Sequence, residues 1–276
     1  MMRNRARDLP GPAFVAPMLS WSMNLFRIRG IQLAVHFSFF LLLAFVAQEG
    51  WQDSGWPGLL WGVGTLVAFF SCVVLHELGH SFTAMHFGIG VRRILLMPIG
   101  GMAEFDDIPR QPSRELLITL AGPAVNFLIV AVLWVAVGFP AGWPQADYPA
   151  NATGFAQLLL HWNLIMGCFN LVPVFPMDGG RILRALLATR MQYLRATFWA
   201  ASVGKVLAVL AGLAALFLYQ TWLTAVLFAF IFYAGEMEYR AVQRREIEDA
   251  HWRAVLARAY AATVPPPVAE PPMLRQ

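Results

Sequence analysis

Two histidines and a glutamate within five residues have the spacing of a metal site that activates water. His76, Glu77 and His80 lie in the run His-Glu-Leu-Gly-His. On a helix, residues four apart project from one face, so both imidazoles can bind the same ion. Glu77 lies about 100° around the helix axis from His76 and can reach a water beside the ion without binding it. The pattern predicts one Zn²⁺ per chain, with His76 and His80 as ligands and Glu77 as general base.

A match of five residues can also be an accident on an exposed helix. Here the motif continues an apolar run over residues 56–75. Ionisable groups at the membrane end of such a run are costly unless they bind something. The position of the motif therefore favours a metal site over an accident.

The composition is that of a membrane protein. The 276 residues are 58% hydrophobic and 13% charged, against roughly 25% charged in soluble domains, and the mean hydropathy is +0.57. Such a chain cannot cover a water-soluble surface, so the lipid bilayer is its expected solvent. The net charge of +4 would suggest nucleic acid only if the basic residues formed a patch, and instead they lie between apolar runs. We expect no nucleic-acid partner.

Six segments approach the length of about 20 apolar residues that crosses a bilayer. They are residues 31–47, 56–75, 116–139, 155–175, 198–219 and 221–235. The sequence predicts an all-α polytopic membrane protein with about six transmembrane helices. An apolar segment with four glycines, residues 88–105, predicts a short β-hairpin or re-entrant segment at the membrane edge. The expected organisation is a cytosolic segment 1–30, a membrane core 31–235 and a cytosolic tail 236–276, helical and then proline-rich and disordered.

Basic residues are distributed unevenly between the links. Residues 48–55 and 140–154 contain no Lys or Arg, whereas arginines precede the first span, follow the last, and occur in the links after the second and fourth spans. The positive-inside rule then predicts that both termini are cytosolic. The excess of arginine over lysine hints at a prokaryotic cell membrane.

A third metal ligand is expected near the end of the fourth span. There Pro173 and Pro176 interrupt the helix, and the pair Gly179-Gly180 allows a sharp turn after Asp178. In the predicted topology the second and fourth spans both run towards the cytosol, so Asp178 meets the histidines at similar depth. Asp178 could instead be only the N-cap of the following helix.

These motifs together resemble the site-2 protease family of intramembrane metalloproteases. The resemblance rests on His-Glu-Leu-Gly-His at 76–80 and on the segment Asn170…Pro173…Asp178-Gly179. The run Ala-Gly-Pro-Ala-Val-Asn at 121–126 and the glycine-bearing run Met-Pro-Ile-Gly-Gly-Met-Ala at 97–103 are similar to further elements of the family. The chain resembles the six-span branch without PDZ or CBS domains.

The resemblance implies roles for individual residues. It makes His76, His80 and Asp178 the zinc ligands and Glu77 the catalytic base. Asn170 and Asn126 become candidates for binding substrate or stabilising an oxyanion, and Gly100 and Gly101 candidates for binding substrate on the hairpin. The implied substrate is a single-pass membrane protein.

Two other classes of function are compatible with parts of the pattern. A transporter or channel would use broken helices and intramembrane charges, but predicts paired interruptions in two halves of the chain. A metal-binding scaffold without activity would keep His76, His80 and Asp178 but has no need of Glu77. The sequence also leaves a homo-oligomer open.

Overall fold

The computed structural model describes residues 21–106, 110–138 and 151–263. Outside the described residues lie the expected N-terminal segment up to residue 20, residues 140–150 of the link 140–154, and the proline-rich segment 264–276. The elements, in chain order, are β1 (Ser22–Ile28), β2 (Ile31–His36), α1 (Phe37–His86), β3 (Val91–Met97), β4 (Gly100–Phe105), α2 (Pro112–Val137), α3 (Ala152–Asn170), α4 (Asp178–Ala188), α5 (Tyr193–Phe217) and α6 (Trp222–Thr263).

Helix α1 is a hairpin of two arms. A straight helix of its 50 residues would be roughly 75 Å long, far more than a bilayer is thick. The helix is broken at Ser54 and Gly55, and Gly55 has a φ of 63°. The rings of Phe39 and Phe70 lie 4.7 Å apart, so the arms run back along each other. The second arm carries the histidine motif.

A four-stranded sheet packs on the second arm of α1. The strand order is β1-β2-β3-β4, with β2 and β3 parallel and the outer pairs antiparallel. The buried side chains of β2 and β3 form one apolar cluster with side chains of α1, among them Phe70, Val73 and Leu78. The sheet thereby holds β3 and β4 beside the motif.

The sheet corrects two sequence-based expectations. Residues 31–36 were predicted to begin the first span but form β2, and residues 22–28 of the expected N-terminal segment form β1. The chain is therefore mostly helical rather than all-α, and the predicted hairpin 88–105 is half of a larger sheet. Hydropathy could not separate these cases, because a strand buried on both faces is as continuously apolar as a membrane helix.

The break between α3 and α4 places the third candidate ligand. Helix α3 ends at Asn170, earlier than the predicted boundary at 175, because Pro173 disfavours helical backbone before it. The chain then turns so tightly that a Cβ on Gly180 would lie 2.7 Å from the backbone nitrogen of Phe175. Asp178 begins α4 directly after this turn.

Helices α5 and α6 pack against each other through small side chains. Ala200, Ala201 and Ala208 of α5 are buried, and Lys205 of α5 forms an ion pair of 2.9 Å with Glu236 of α6. Helix α6 continues without a break to Thr263. The predicted helical tail is thus the second half of α6 rather than a separate element.

Three helices of the described part are long and apolar enough to cross a membrane, namely α1, α2 and α5. Many large apolar side chains on the helix surfaces are exposed, including Val135 at 89% and Phe217 at 77%. Exposed apolar surface on this scale is costly in water. The helices are those of an integral membrane protein.

Candidate metal centre

The second arm of α1 directs His76 and His80 at helix α2. The two helices approach closely where Gly79 faces Ala121, since a Cβ on Gly79 would lie 2.7 Å from the carbonyl oxygen of Ala121. Gly122 lies directly against both imidazoles, and a Cβ there would meet Nε2 of His80 and lie 2.8 Å from Cε1 of His76. Glycine at 122 is therefore what leaves space for the histidine rings.

The carboxylate of Asp178 completes a compact group with the two histidines. Its Oδ2 lies 3.3 Å from Nε2 of His76 and 3.2 Å from Nε2 of His80, and the two Nε2 atoms are 3.1 Å apart. All three side chains are buried. Asp178 does not cap α4 with its side chain, because the N-cap is Met177 and makes no side-chain cap bond. The N-cap interpretation is thus wrong.

The hydrogen bonds of His80 leave its Nε2 free to bind an ion. Nδ1 of His80 lies 2.8 Å from the carbonyl oxygen of Ile118 on α2. A carbonyl oxygen can only accept, so Nδ1 carries the proton and donates it. In the neutral imidazole, Nε2 then presents a lone pair towards Asp178.

A chain of side-chain amides fixes His76 in the same way. Asn163 donates from Nδ2 to the carbonyl oxygen of Leu159 at 2.8 Å, which orients its amide group. Oδ1 of Asn163 accepts from Nδ2 of Asn126 at 2.9 Å, and Oδ1 of Asn126 accepts from Nδ1 of His76 at 2.6 Å. Nδ1 of His76 therefore carries the proton, and Nε2 of the neutral imidazole also presents a lone pair. Such partners fix the tautomer and the ring orientation of a metal-binding histidine.

The three atoms fit the edges of a zinc site. Ligand bonds of 2.0–2.1 Å in tetrahedral geometry place neighbouring ligand atoms about 3.3–3.4 Å apart, close to the observed 3.1–3.3 Å. Oδ2 of Asp178 is buried and has no hydrogen-bond donor among the described residues. Buried acceptors directed at one point are stabilised by a cation between them. His76, His80 and Asp178 form a group that could hold one metal ion.

Glu77 lies against β4, the last strand in the order of the sheet. It follows His76 on α1 and faces β4, where a Cβ on Gly101 would lie 2.6 Å from Cγ of Glu77. Glycine at 101 therefore lets the strand lie directly beside the carboxylate. Gly100 starts the same strand, with a φ of 137° that other residues rarely adopt.

The two predicted asparagines differ in their surroundings. Asn126 is fully buried and has both ends of its amide engaged, which favours a role in orienting His76. Asn170 is half-buried at the end of α3, and within the described residues its side chain has no hydrogen bond to the metal group. Substrate binding by either residue stays a prediction. Ile118 and Asn163 were not predicted, because a backbone carbonyl and a lone helical asparagine carry no recognisable pattern.

Comparison with known protein families decides the assignment. The model of peptidase family M50 matches residues 64–153 and 139–213, more than half of the chain. The first match contains His76 and His80, and the second contains Asp178. The chain belongs to peptidase family M50. The resemblance to site-2 proteases is thereby confirmed.

Relatives within the family share most of this chain. Zinc metalloprotease MJ0392 of Methanocaldococcus jannaschii is 39% identical over 227 residues, which are 82% of this chain and 62% of that protein. Stage IV sporulation protein FB of Bacillus subtilis is 30% identical over 206 residues, or 74% of this chain and 67% of that protein. The solved structure of a site-2 protease from M. jannaschii has 36% identity and a TM-score of 0.56, covering 79% of this chain and 95% of that one.

The M50 chain spans less than two thirds of several curated relatives. The share is 62% for MJ0392 and 42% for a putative zinc metalloprotease of Synechocystis. The family model's two matches, by contrast, include His76, His80 and Asp178.

Proposed function

We propose that this M50 chain is an intramembrane zinc metalloprotease that hydrolyses a peptide bond in or near the transmembrane segment of a membrane protein. The observation that carries the proposal is the convergence of His76, His80 and Asp178, with Glu77 beside them and all four from one chain. One chain therefore supplies the whole group, and no ligand from a second copy is needed to complete it. The names of the relatives support zinc as the ion.

The residues of the site have three proposed roles: binding the ion, transferring a proton and orienting the histidines. His76, His80 and Asp178 would hold the zinc ion, whose Lewis acidity polarises a carbonyl oxygen and acidifies water. Glu77 accepts the proton of the attacking water and later delivers it to the leaving amine nitrogen. Ile118, Asn126 and Asn163 orient the two imidazoles so that their Nε2 lone pairs would be available to the ion.

The free edge of β4 supplies a place for an extended substrate. A transmembrane helix hides its peptide bonds in its own hydrogen bonds, so cleavage requires local unwinding. Strand β3 pairs on both sides, with β2 and β4, whereas β4 pairs only with β3 among the described strands. Added to β4 as a fifth strand, an unwound segment would pass beside Gly101 and Glu77. Gly100 and Gly101 are the substrate-binding candidates on this edge.

The membrane arrangement is part of the proposal. Six membrane crossings are proposed: the two arms of α1, then α2, α3, α5 and the first half of α6. Helix α4 connects the fourth crossing to the fifth. Residues 31–235 form the catalytic core, with both termini cytosolic. Apolar side chains of α3 that are exposed at its surface, such as Trp162 and Ile165, support its crossing. The proposed substrate is a single-pass membrane protein.

Cleavage in a reconstituted membrane tests the proposal. The purified protein in liposomes is mixed with a single-pass model substrate, and products are identified by mass spectrometry. We expect a cut within or next to the transmembrane segment, lost on treatment with a zinc chelator and restored by added Zn²⁺. A transporter or a silent scaffold would yield no cut peptide, and that result from zinc-loaded protein would reject the proposal.

A further inference from the structure

A buried arginine lies on the helix that begins with Asp178. Arg184 is on α4, and its side chain is only 1% exposed. It is the largest fully buried side chain of the described residues. A buried guanidinium needs compensating charge, and the groups that provide it here come from other helices.

The guanidinium of Arg184 joins three helices. Nε and Nη2 lie 2.8 and 2.5 Å from Oε1 of Glu115 on α2, and Nη1 lies 2.6 Å from Oε1 of Glu238 on α6. Its Cζ also lies 5.3 Å from the ring centre of Phe175 and 5.1 Å from that of Tyr193. Two nitrogens on one carboxylate oxygen and a third on another fix both position and orientation.

These contacts lead to both sides of the metal group. Glu115 lies three residues before Ile118, whose carbonyl oxygen accepts from His80. Phe175 lies three residues before Asp178, in the turn that positions the carboxylate of Asp178. Arg184 therefore links the helix that orients a histidine to the segment that carries the third ligand, without touching the metal group itself.

We infer that Arg184 is a positioning residue that sets the distance between Asp178 and the histidine pair. A buried ion pair is weak support for stability, because well-packed apolar side chains often stabilise as much. What an apolar pair cannot supply is a directional bond that fixes one helix relative to another. The bridge to Glu115 supplies that bond between α2 and α4. The inference rests on the proposed zinc site, but it predicts metal affinity and does not require proteolysis.

Two variants separate positioning from stability. Arg184→Lys keeps the charge but loses the fork that binds Glu115 through two nitrogens. The double variant Glu115→Gln with Arg184→Met removes the ion pair and leaves no unpaired charge at Glu115. Glu238 is then released, but its side chain is 27% exposed and can be solvated.

Lys205→Met is the matched control. It removes another interhelical ion pair, between α5 and α6, that does not involve α2 or α4. Glu236 keeps its second partner Arg240 at 2.6 Å. This control reports what the loss of an ion pair does to the protein when the metal group is not linked to it.

Zinc affinity is measured by competition with a chelator in detergent, alongside the visible spectrum of the Co²⁺-loaded protein and the unfolding temperature of the metal-free protein. We expect Arg184→Lys and the double variant to bind Zn²⁺ at least tenfold more weakly, with an altered Co²⁺ spectrum, while Lys205→Met matches the wild type. The metal-free double variant should unfold within a few degrees of the wild type.

A double variant with wild-type zinc affinity and Co²⁺ spectrum would overturn the inference. So would a double variant that fails to fold, since the ion pair would then serve stability. A wild-type protein that binds zinc but cleaves nothing would reject the proposed protease and leave this comparison intact.

Discussion

The side-chain oxygen of Asn126 lies 2.6 Å from Nδ1 of His76 and decides which nitrogen of that imidazole can bind an ion. The orientation of Asn126 is itself set by Asn163, which is anchored on the carbonyl oxygen of Leu159. Three helices therefore take part in presenting one lone pair. The geometry makes the zinc affinity of this site depend on residues that never touch the ion.

Replacing Asn126 should weaken metal binding. Asn126→Ala removes the acceptor at Nδ1, so the ring of His76 loses its fixed tautomer and orientation. We expect zinc affinity to fall about 10- to 100-fold, measured by chelator competition. Asn170→Ala is the comparison, since it should leave zinc affinity unchanged and, if Asn170 binds substrate, slow cleavage. Equal zinc affinity for Asn126→Ala and the wild type would contradict the proposed hydrogen-bond chain.

A methyl group at Gly122 should abolish the site. The added carbon of Gly122→Ala would meet the ring of His80 and crowd Cε1 of His76. We expect loss of stoichiometric zinc, measured by elemental analysis of the purified protein. Gly64→Ala is the matched change, because its Cβ has no neighbour within 4 Å. Full zinc occupancy in Gly122→Ala would show that the rings are not held as described.

The edge of β4 can be tested with two adjacent prolines. Successive N–H groups of a strand point to opposite edges, so Met102→Pro and Ala103→Pro remove donors from different sides of β4. One loses a bond to β3, and the other loses only a donor on the free edge. We expect the variant that loses only the free-edge donor to fold and to retain zinc. It should cleave the model substrate at least tenfold more slowly than the wild type. If both folded variants cleave at the wild-type rate, the added-strand hypothesis is wrong.

The proposed topology predicts which sites face each side of the membrane. In a background with Cys72 and Cys168 replaced by alanine, Asp53→Cys lies at the turn between the arms of α1 and Glu248→Cys lies on the second half of α6. An impermeant maleimide should label Asp53→Cys on intact cells and Glu248→Cys only after permeabilisation. The reverse pattern would invert the topology.

Local patterns were sufficient to predict which three side chains converge, but not what surrounds them. The motif His76–His80 was recognisable because helical spacing alone puts its ligands on one face, and Asp178 because prolines and glycines mark its turn. Strand β2 was not predicted because its apolar sequence cannot be distinguished from the start of a membrane helix. Asn163 and Arg184 could not be found at all, since their importance arises only from partners 37 and 69 residues away in the chain.

The most direct test compares the wild type with Glu77→Gln for both zinc content and cleavage of a transmembrane substrate in liposomes. Glu49→Gln, the same change at an exposed position of α1, serves as the control. We predict one zinc per chain in all three proteins, with cleavage by the wild type and Glu49→Gln and none detectable by Glu77→Gln. Cleavage by Glu77→Gln at the wild-type rate would remove the proposed base and contradict the mechanism.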